Sequence, residues 1–485
     1  MIQTSLIATK SGAVCKTIET CGKMKKAELV FIPAPIISHL VSTVRVAKLL
    51  ADRDERLSIT FLIMRLLADS QIDSYIDSES AACNLIRFID LPKHEPDPNQ
   101  PSRFLNFLIE AHKPQVKEEI SKLVIRSELS HDWPRLAGIV LDMLCIPMID
   151  VANEFGLPSY IFFTSGAAFL GLDFYIQDLH DEQKVDPTEF KDSDVELVMP
   201  CLANPLPAKV LPFSLFEKDV LPLSLRMIRR VKETKGIMVN TFYELESHAI
   251  NSFSNGNAPP VYPVGPILNL IRDERSDGND AYKDIMQWLD HQPSSSVVFL
   301  CFGSMGNFGM EQSLRQPPPK GKREAPSDYV NPEEVLPEGF LDRTAQIGKV
   351  IGWVPQVDIL AHPSVRGFVS HCGWNSILES IWFGVPIATW PIFAEQQFNA
   401  FQMIVEFGLA EEIRMNNRKE FNMDDFEIVN AEDIEKGIKC LMELDNDKRG
   451  KLKEMSEKSR KALMNGGSSY TWLGHLTQDM IDNMS

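Results

Sequence analysis

The sequence predicts an α/β fold, with parallel sheets in two domains, on three observations. Short continuous apolar runs alternate with longer amphipathic segments, the pattern of strands buried on both faces and crossed over by helices. The alternation breaks once, at the proline- and turn-rich stretch 257–269, NAPPVYPVGPILN, and then starts again. A chain of 485 residues is long enough for two such cores.

In chain order, residues 1–23 are expected to be a disordered polar extension, with the first domain over 24–256. ELVFIP (28–33) reads as the first strand, followed by a helix from about His39 to Leu50. Ser38 is the expected N-cap and His39 the first helical position. The positive end of that helix disfavours an imidazolium, so His39 is expected to have a lowered pKa and to stay neutral, as suits a general base. A histidine that merely sits beside a cap is the other reading. LSITFLIM and LIRFIDL (85–91) read as strands, and one long helix is expected from about Arg103 to Arg126. LAGIVLD (136–142) is an apolar run ending in an acid, so Asp142 falls at a strand's carboxyl end, where open α/β sheets place their chemistry. A carboxylate there can orient a neighbouring imidazole. Pro158–Thr164 and Ile237–Asn240 add further strands.

Residues 257–272 are the expected linker and 273–464 the second domain, with a final helical segment over 465–485. SVVFLCFGS (296–304) is a strand entering a Gly-Ser turn at Ser304, and Lys349–Trp353, Gly367–Ser370 and Pro386–Trp390 are the next expected strands. Late helices are expected over 431–443, 447–464 and 470–483. Between Phe302 and Lys349 the sequence offers no amphipathic helix followed by another strand, only a polar, proline-rich stretch too long for a loop in a compact domain.

The chemistry concentrates between Trp353 and Gln396. The apolar run ending at Ser370 enters His371-Cys372-Gly373-Trp374-Asn375-Ser376, and a helical pattern then runs to Gly384. Strand, tight turn and helix present unpaired first-turn amides to an anion, with Asn375, Ser376 and His371 as added donors. Glu379 lies one turn on, on the same face, where a carboxylate can accept both hydroxyls of a ribose. Trp353 can stack on a base, Gln356 can meet its edge, and Glu395 and Gln396 can hold sugar hydroxyls. Residue by residue, core tryptophans and a satisfied buried histidine are the simpler reading; the whole string points to a site.

Composition narrows the classes. Hydrophobic residues at 44% and charged residues at 24% are ordinary for a globular enzyme. A net charge of −18 argues against nucleic acid or an anionic membrane as partner, since both reward positive surface. The eight cysteines are scattered without a CxxC or Cys/His run, so no zinc is expected. Asp-x-Asp pairs at Asp52/Asp54 and Asp192/Asp194 lie in charged surface runs, and no metal or other cofactor is expected. With no secretory segment and no membrane-spanning run, the cytosol is the expected compartment. A monomer is expected.

The stretch WVPQVDILAHPSVRGFVSHCGWNSILESIWFGVPIATWPIFAEQ resembles, nearly position for position, the signature box of plant family 1 UDP-glycosyltransferases of secondary metabolism. A weaker resemblance runs from Lys25 to the last helix. It implies the GT-B architecture of two facing Rossmann-like domains, the last helix crossing back onto the first. UDP-glucose would bind mainly to the second domain and a small flavonoid or other phenolic acceptor to the first. By the resemblance Trp353 stacks on uracil, Gln356 meets uracil and ribose, and Glu379 holds the ribose. His371, Asn375 and Ser376 hold the diphosphate with Ser304 near it, and Trp374, Glu395 and Gln396 contact the sugar. Val354 and Gly373 belong to the same set. A closing Gln is associated with glucose. His39 and Asp142 occupy the contexts of the family's catalytic base and its partner, implying direct displacement with inversion.

Two departures stand out. The family's P-G-(I/H)-G-H loop here reads Pro35-Ile36-Ile37-Ser38-His39, without either glycine. After the G-S-M-G turn the family has a helix ending near F-L-W-S-L-R, whereas Gln312 here passes directly to Ser313-Leu314-Arg315, as though a βα unit were missing. That gap makes a catalytically impaired UDP-sugar-binding protein the alternative expectation. A dehydrogenase-like enzyme is disfavoured, because no GxGxxG follows either domain's first strand.

Overall fold

The structure, a computed structural model, describes residues 26–65, 70–82, 86–93, 104–129, 133–256, 258–270, 280–303, 336–352, 355–416, 428–444 and 446–483. The expected extension 1–23, the Gln312–Ser313 junction, and Ser304, Trp353 and Val354 lie outside the described residues.

The first sheet contains β1 (Ala27–Ile32), β2 (Leu57–Ile63), β3 (Ile86–Asp90), β4 (Arg135–Asp142) and β5 (Ser159–Phe163). After a short antiparallel pair, β6 (Glu196–Leu197) and β7 (Leu206–Pro207), β8 (Gly236–Val239) and β9 (Val261–Pro263) complete it. Its order is β3-β2-β1-β4-β5-β8-β9, all parallel. The chain builds outward from β1 to β3 and then returns to the other side of β1, so the crevice between the carboxyl ends of β1 and β4 is a topological switch point. Continuous apolar runs form these strands because both faces are covered: Val30, Ile32, Ile139, Leu141 and Ile161 enter one core, and Leu29, Phe31, Val140, Tyr160 and Phe162 the other. The C-terminal helix Ser468–Asp482 brings Leu473, Leu476 and Met480 into that second core.

The second sheet is β10 (Val297–Cys301), β11 (Val365–Ser370), β12 (Ile387–Thr389) and β13 (Ala410–Glu412), parallel and in that order. A third apolar core lies on it, built from Phe299, Phe368, Ile377, Ile381 and Ile387.

Several expectations need correction. The first helix spans Ile37–Arg53, with Ile36 at the N-cap, so Ser38 is not the cap and His39 is the third helical residue. The expected helix over Arg103–Arg126 is two, Phe104–Ala111 and Lys113–Leu129. Pro114 explains the break, since its ring clashes with a carbonyl one turn back and it has no N–H to give. β9 lies within the expected linker; a short edge strand tolerates Pro263. Lys349–Gly352 is not a strand. Among the described residues only β11 flanks β10, and a lone extended segment has no ladder to satisfy its backbone. Leu300 on β10 is 42% exposed.

Candidate active site

β1 delivers the His39 helix to the switch point, and β4 delivers Asp142. Asp142 is fully buried, and its Oδ2 accepts a hydrogen bond from His39 Nδ1 at 2.8 Å. Its Oδ1 accepts from Leu144 N at 2.9 Å, which fixes the carboxylate. An ionised carboxylate only accepts, so the proton sits on Nδ1 and Nε2 is left as a bare lone pair. Thr164, at the end of β5, places its hydroxyl 3.4 Å from the same Nδ1.

The pKa of His39 departs from expectation. Burial pulls it down, but the charge of Asp142, their hydrogen bond and the nearby Glu395 outweigh burial and raise it above the ordinary 6.5. The expected lowering is thus overturned by a carboxylate supplied from 103 residues away.

On the opposite side, β11 runs into a turn where Cys372 adopts φ +63°, and Gly373 caps the helix Trp374–Phe383. Gly384, at φ +69°, ends it as the spacing predicts. A second left-handed residue, Ala394 at φ +55°, precedes Glu395 and Gln396. Both turns lie on loops after the carboxyl ends of parallel strands, β11 and β12. His371 is packed against two glycines: a Cβ at Gly303 or Gly373 would come within 2.7 or 2.5 Å of its Nε2. Burial drives its pKa down to about 4, with the Cys301 main chain pulling the other way. The ring is therefore neutral at working pH, and its Nδ1 is buried without a hydrogen-bond partner among the described residues.

Gln356, Ser376 and Glu379 come together. Gln356 Nε2 lies 2.9 Å from Ser376 Oγ and 2.5 Å from Glu379 Oε2. Burial raises the Glu379 carboxyl to about 7 despite that bond. Several of the other expected site residues also bond within the protein. The Trp374 indole is buried and its Nε1 donates to Asn240 O at 2.6 Å, across to the first domain. The Gln396 carbonyl accepts from Ile392 N and Phe393 N at 2.9 and 3.1 Å, so that oxygen holds the loop. Asn375 joins Asn240 and Ser42. Glu395 stands near His39, and burial, its largest influence, raises its pKa.

Sequence reasoning missed Ser42, Thr164, Asn240 and Glu246. Asn240 and Thr164 end predicted strands at the same edge as Asp142, a position that would have flagged them. Glu246 carried no signal: its carboxylate accepts from Ala167 N and Ala168 N at 2.8 and 2.9 Å and from Gln402 Nε2 of the second domain at 3.1 Å. Of the Asp-x-Asp pairs, Asp54 is ion-paired with Arg56 and Asp194 with Lys209. Among the described residues no group of three or more His, Cys, Asp or Glu side chains is placed to hold a metal ion, and no helix is long and apolar enough to cross a membrane.

Two parallel-sheet domains, with a His–Asp pair on one and a helix N-terminus on the other, fit the GT-B class of glycosyltransferase, and the similar proteins agree. The family described as "UDP-glucoronosyl and UDP-glucosyl transferase" matches residues 278–448. Anthocyanidin 3-O-glucosyltransferase 1 of Manihot esculenta is 53% identical over 464 residues, covering 92% of this chain and all of the relative (100%). Among solved structures, a UGT transferase from Siraitia grosvenorii in complex with UDP is 45% identical, with a TM-score of 0.82, over 94% of this chain and 100% of the other. Medicago truncatula UGT71G1 complexed with UDP-glucose is 41% identical, with a TM-score of 0.81, over 94% and 98%. The chain belongs to the plant family 1 UDP-glycosyltransferases.

Proposed function

We propose that the protein transfers glucose from UDP-glucose to a hydroxyl of a small phenolic acceptor of the flavonoid type, inverting the anomeric carbon. The observation that carries this reading is the His39–Asp142 pair at the switch point, on a domain tied directly to the turn at Trp374–Ser376. His39 Nε2 takes the acceptor's hydroxyl proton while that oxygen attacks the anomeric carbon. The bond from that carbon to the diphosphate oxygen breaks, and its electron pair leaves with UDP. The first-turn amides of Trp374–Phe383 and the neutral His371 ring stabilise the departing charge, the kind of preorganised stabilisation that supplies much of an enzyme's rate. Glu379 and Gln356 take the ribose; by resemblance to the family, Trp353 with Val354 would take the uracil and Ser304 would serve the diphosphate. The reading needs no metal, nucleic acid or membrane. A cytosolic monomer completes it.

One observation favours a second reading. β10 has a partner strand on one side only among the described residues, and Lys349–Gly352 forms no strand. Both agree with a missing βα unit after Gln312, and with a protein that binds UDP-sugar but fails to transfer it. Incubating the protein with UDP-glucose and a panel of flavonols, simple phenols and terpenoid alcohols, and weighing the products, separates the two. A gain of one hexose supports transfer. Measurable UDP binding without product from any acceptor supports the second reading.

A further inference from the structure

Resting on the transferase reading, we propose that Asn240 and Ser42 are positioning residues. Through Asn375 they fix the N-terminal turn of the donor-side helix relative to His39.

Asn240 follows β8 on the acceptor-side domain and is fully buried. Its Oδ1 accepts from Ile267 N at 2.7 Å, locking the amide's orientation, and its Nδ2 donates to Asn375 Oδ1 at 3.1 Å. Its main-chain oxygen accepts from Trp374 Nε1 at 2.6 Å. One buried residue thus grips the first two positions of the helix Trp374–Phe383. Asn375 passes the constraint on, because its Nδ2 donates to Ser42 Oγ at 3.2 Å. Ser42 lies on the His39 helix, three residues after the proposed base, and its own hydroxyl donates to Ser38 O at 3.0 Å. The relay therefore runs from Ile267 through Asn240 and Asn375 to the turn that carries His39.

The chemistry explains why such a tie is useful. In-line displacement needs the acceptor oxygen and the anomeric carbon in near-attack geometry, although the base and the leaving-group site stand on different domains. A carboxamide has two N–H groups and a carbonyl with two lone pairs. Asn375 uses one N–H and its oxygen on the relay, which leaves one N–H for an oxygen of the donor substrate. A substrate contact at Asn375 is thereby tied to the His39 helix by one hydrogen bond.

The test measures kcat, KM for UDP-glucose and UDP affinity for wild type, Ser42→Ala, Asn240→Ala and the double variant, each checked by thermal melting. Ser42→Ala is small and helix-compatible, so it keeps the proposal testable should Asn240→Ala fail to fold. Expected is a fall in kcat of about three- to tenfold in Ser42→Ala, the effect of one ordinary hydrogen bond, at unchanged UDP affinity. Asn240→Ala loses more, and the double variant is no worse than Asn240→Ala, because both substitutions cut one relay. An active wild type with Ser42→Ala at wild-type kcat, or with effects that multiply in the double variant, overturns the relay alone. A wild type that makes no hexoside overturns the transferase reading and the positioning role with it.

Discussion

His39 and His371 each stand beyond the carboxyl end of a parallel strand, one in each domain, and their environments push them in opposite directions. His39 has Asp142 at 2.8 Å, and its pKa rises. His371 is packed against Gly303 and Gly373 with no carboxylate paired to it among the described residues, and burial takes it down to about 4. The partner, rather than the strand end, decides what an imidazole can do. A paired ring is held in one tautomer and can take a proton; an enclosed ring stays neutral and offers its one N–H to an anion.

Asp142→Asn attacks that difference most directly. An amide at that position can donate to Nδ1, which moves the ring proton to Nε2 and removes the base. A fall in kcat of about 10²-fold or more is expected, by analogy with His–Asp pairs elsewhere. The activity that remains should show its acidic limb at lower pH, since the charge that raised His39 is gone. A variant with wild-type rate and limb would show that Asp142 does not govern the base.

The pH dependence of the intact protein is a milder test. Transfer requires neutral His39, so kcat/KM should fall as pH drops through a value above 6.5, with a slope of one proton. The ion pair formed by protonated His39 and Asp142 contributes stability below 6.5, and that contribution is lost as pH rises through the raised pKa. Stability from this pair and activity therefore run in opposite directions with pH, which melting curves and initial rates at matched pH can show. His371→Ala should leave the acidic limb in place and weaken UDP binding by about tenfold, the range of one hydrogen bond to a charged group. A limb that moves in that variant would exchange the two histidines' roles.

The smallest effect concerns Glu379, the donor side's own titrating group. Burial holds it near 7, so a ribose that needs the carboxylate must bind more tightly as pH rises through that value. Calorimetry with UDP-glucose should show an affinity gain of up to about tenfold per pH unit below 7, and Glu379→Gln should flatten it. A wild-type affinity independent of pH would remove Glu379 from the ribose.

Local features were the legible ones. β1, β4, β5 and β11 could be read because burial on both faces leaves an uninterrupted apolar run. The turn at Cys372–Gly373 and the stop at Gly384 follow from neighbours in sequence. The meeting of His39 with Asp142 became an expectation only by resemblance, since spacing says nothing about a contact made by sheet order. Asn240 donating to Asn375 across 135 residues, and Glu246 reaching Gln402 across 156, left no trace in any window of sequence. The raised pKa of His39 is hidden from the sequence for the same reason: its helix is local, its carboxylate is not.

The most direct test of the division of labour is transfer and UDP affinity measured side by side in His39→Ala. The account predicts a loss of hexose transfer of about 10²–10⁴-fold with UDP binding unchanged, because the base and the diphosphate site lie on different domains. Undiminished transfer in that variant would contradict it.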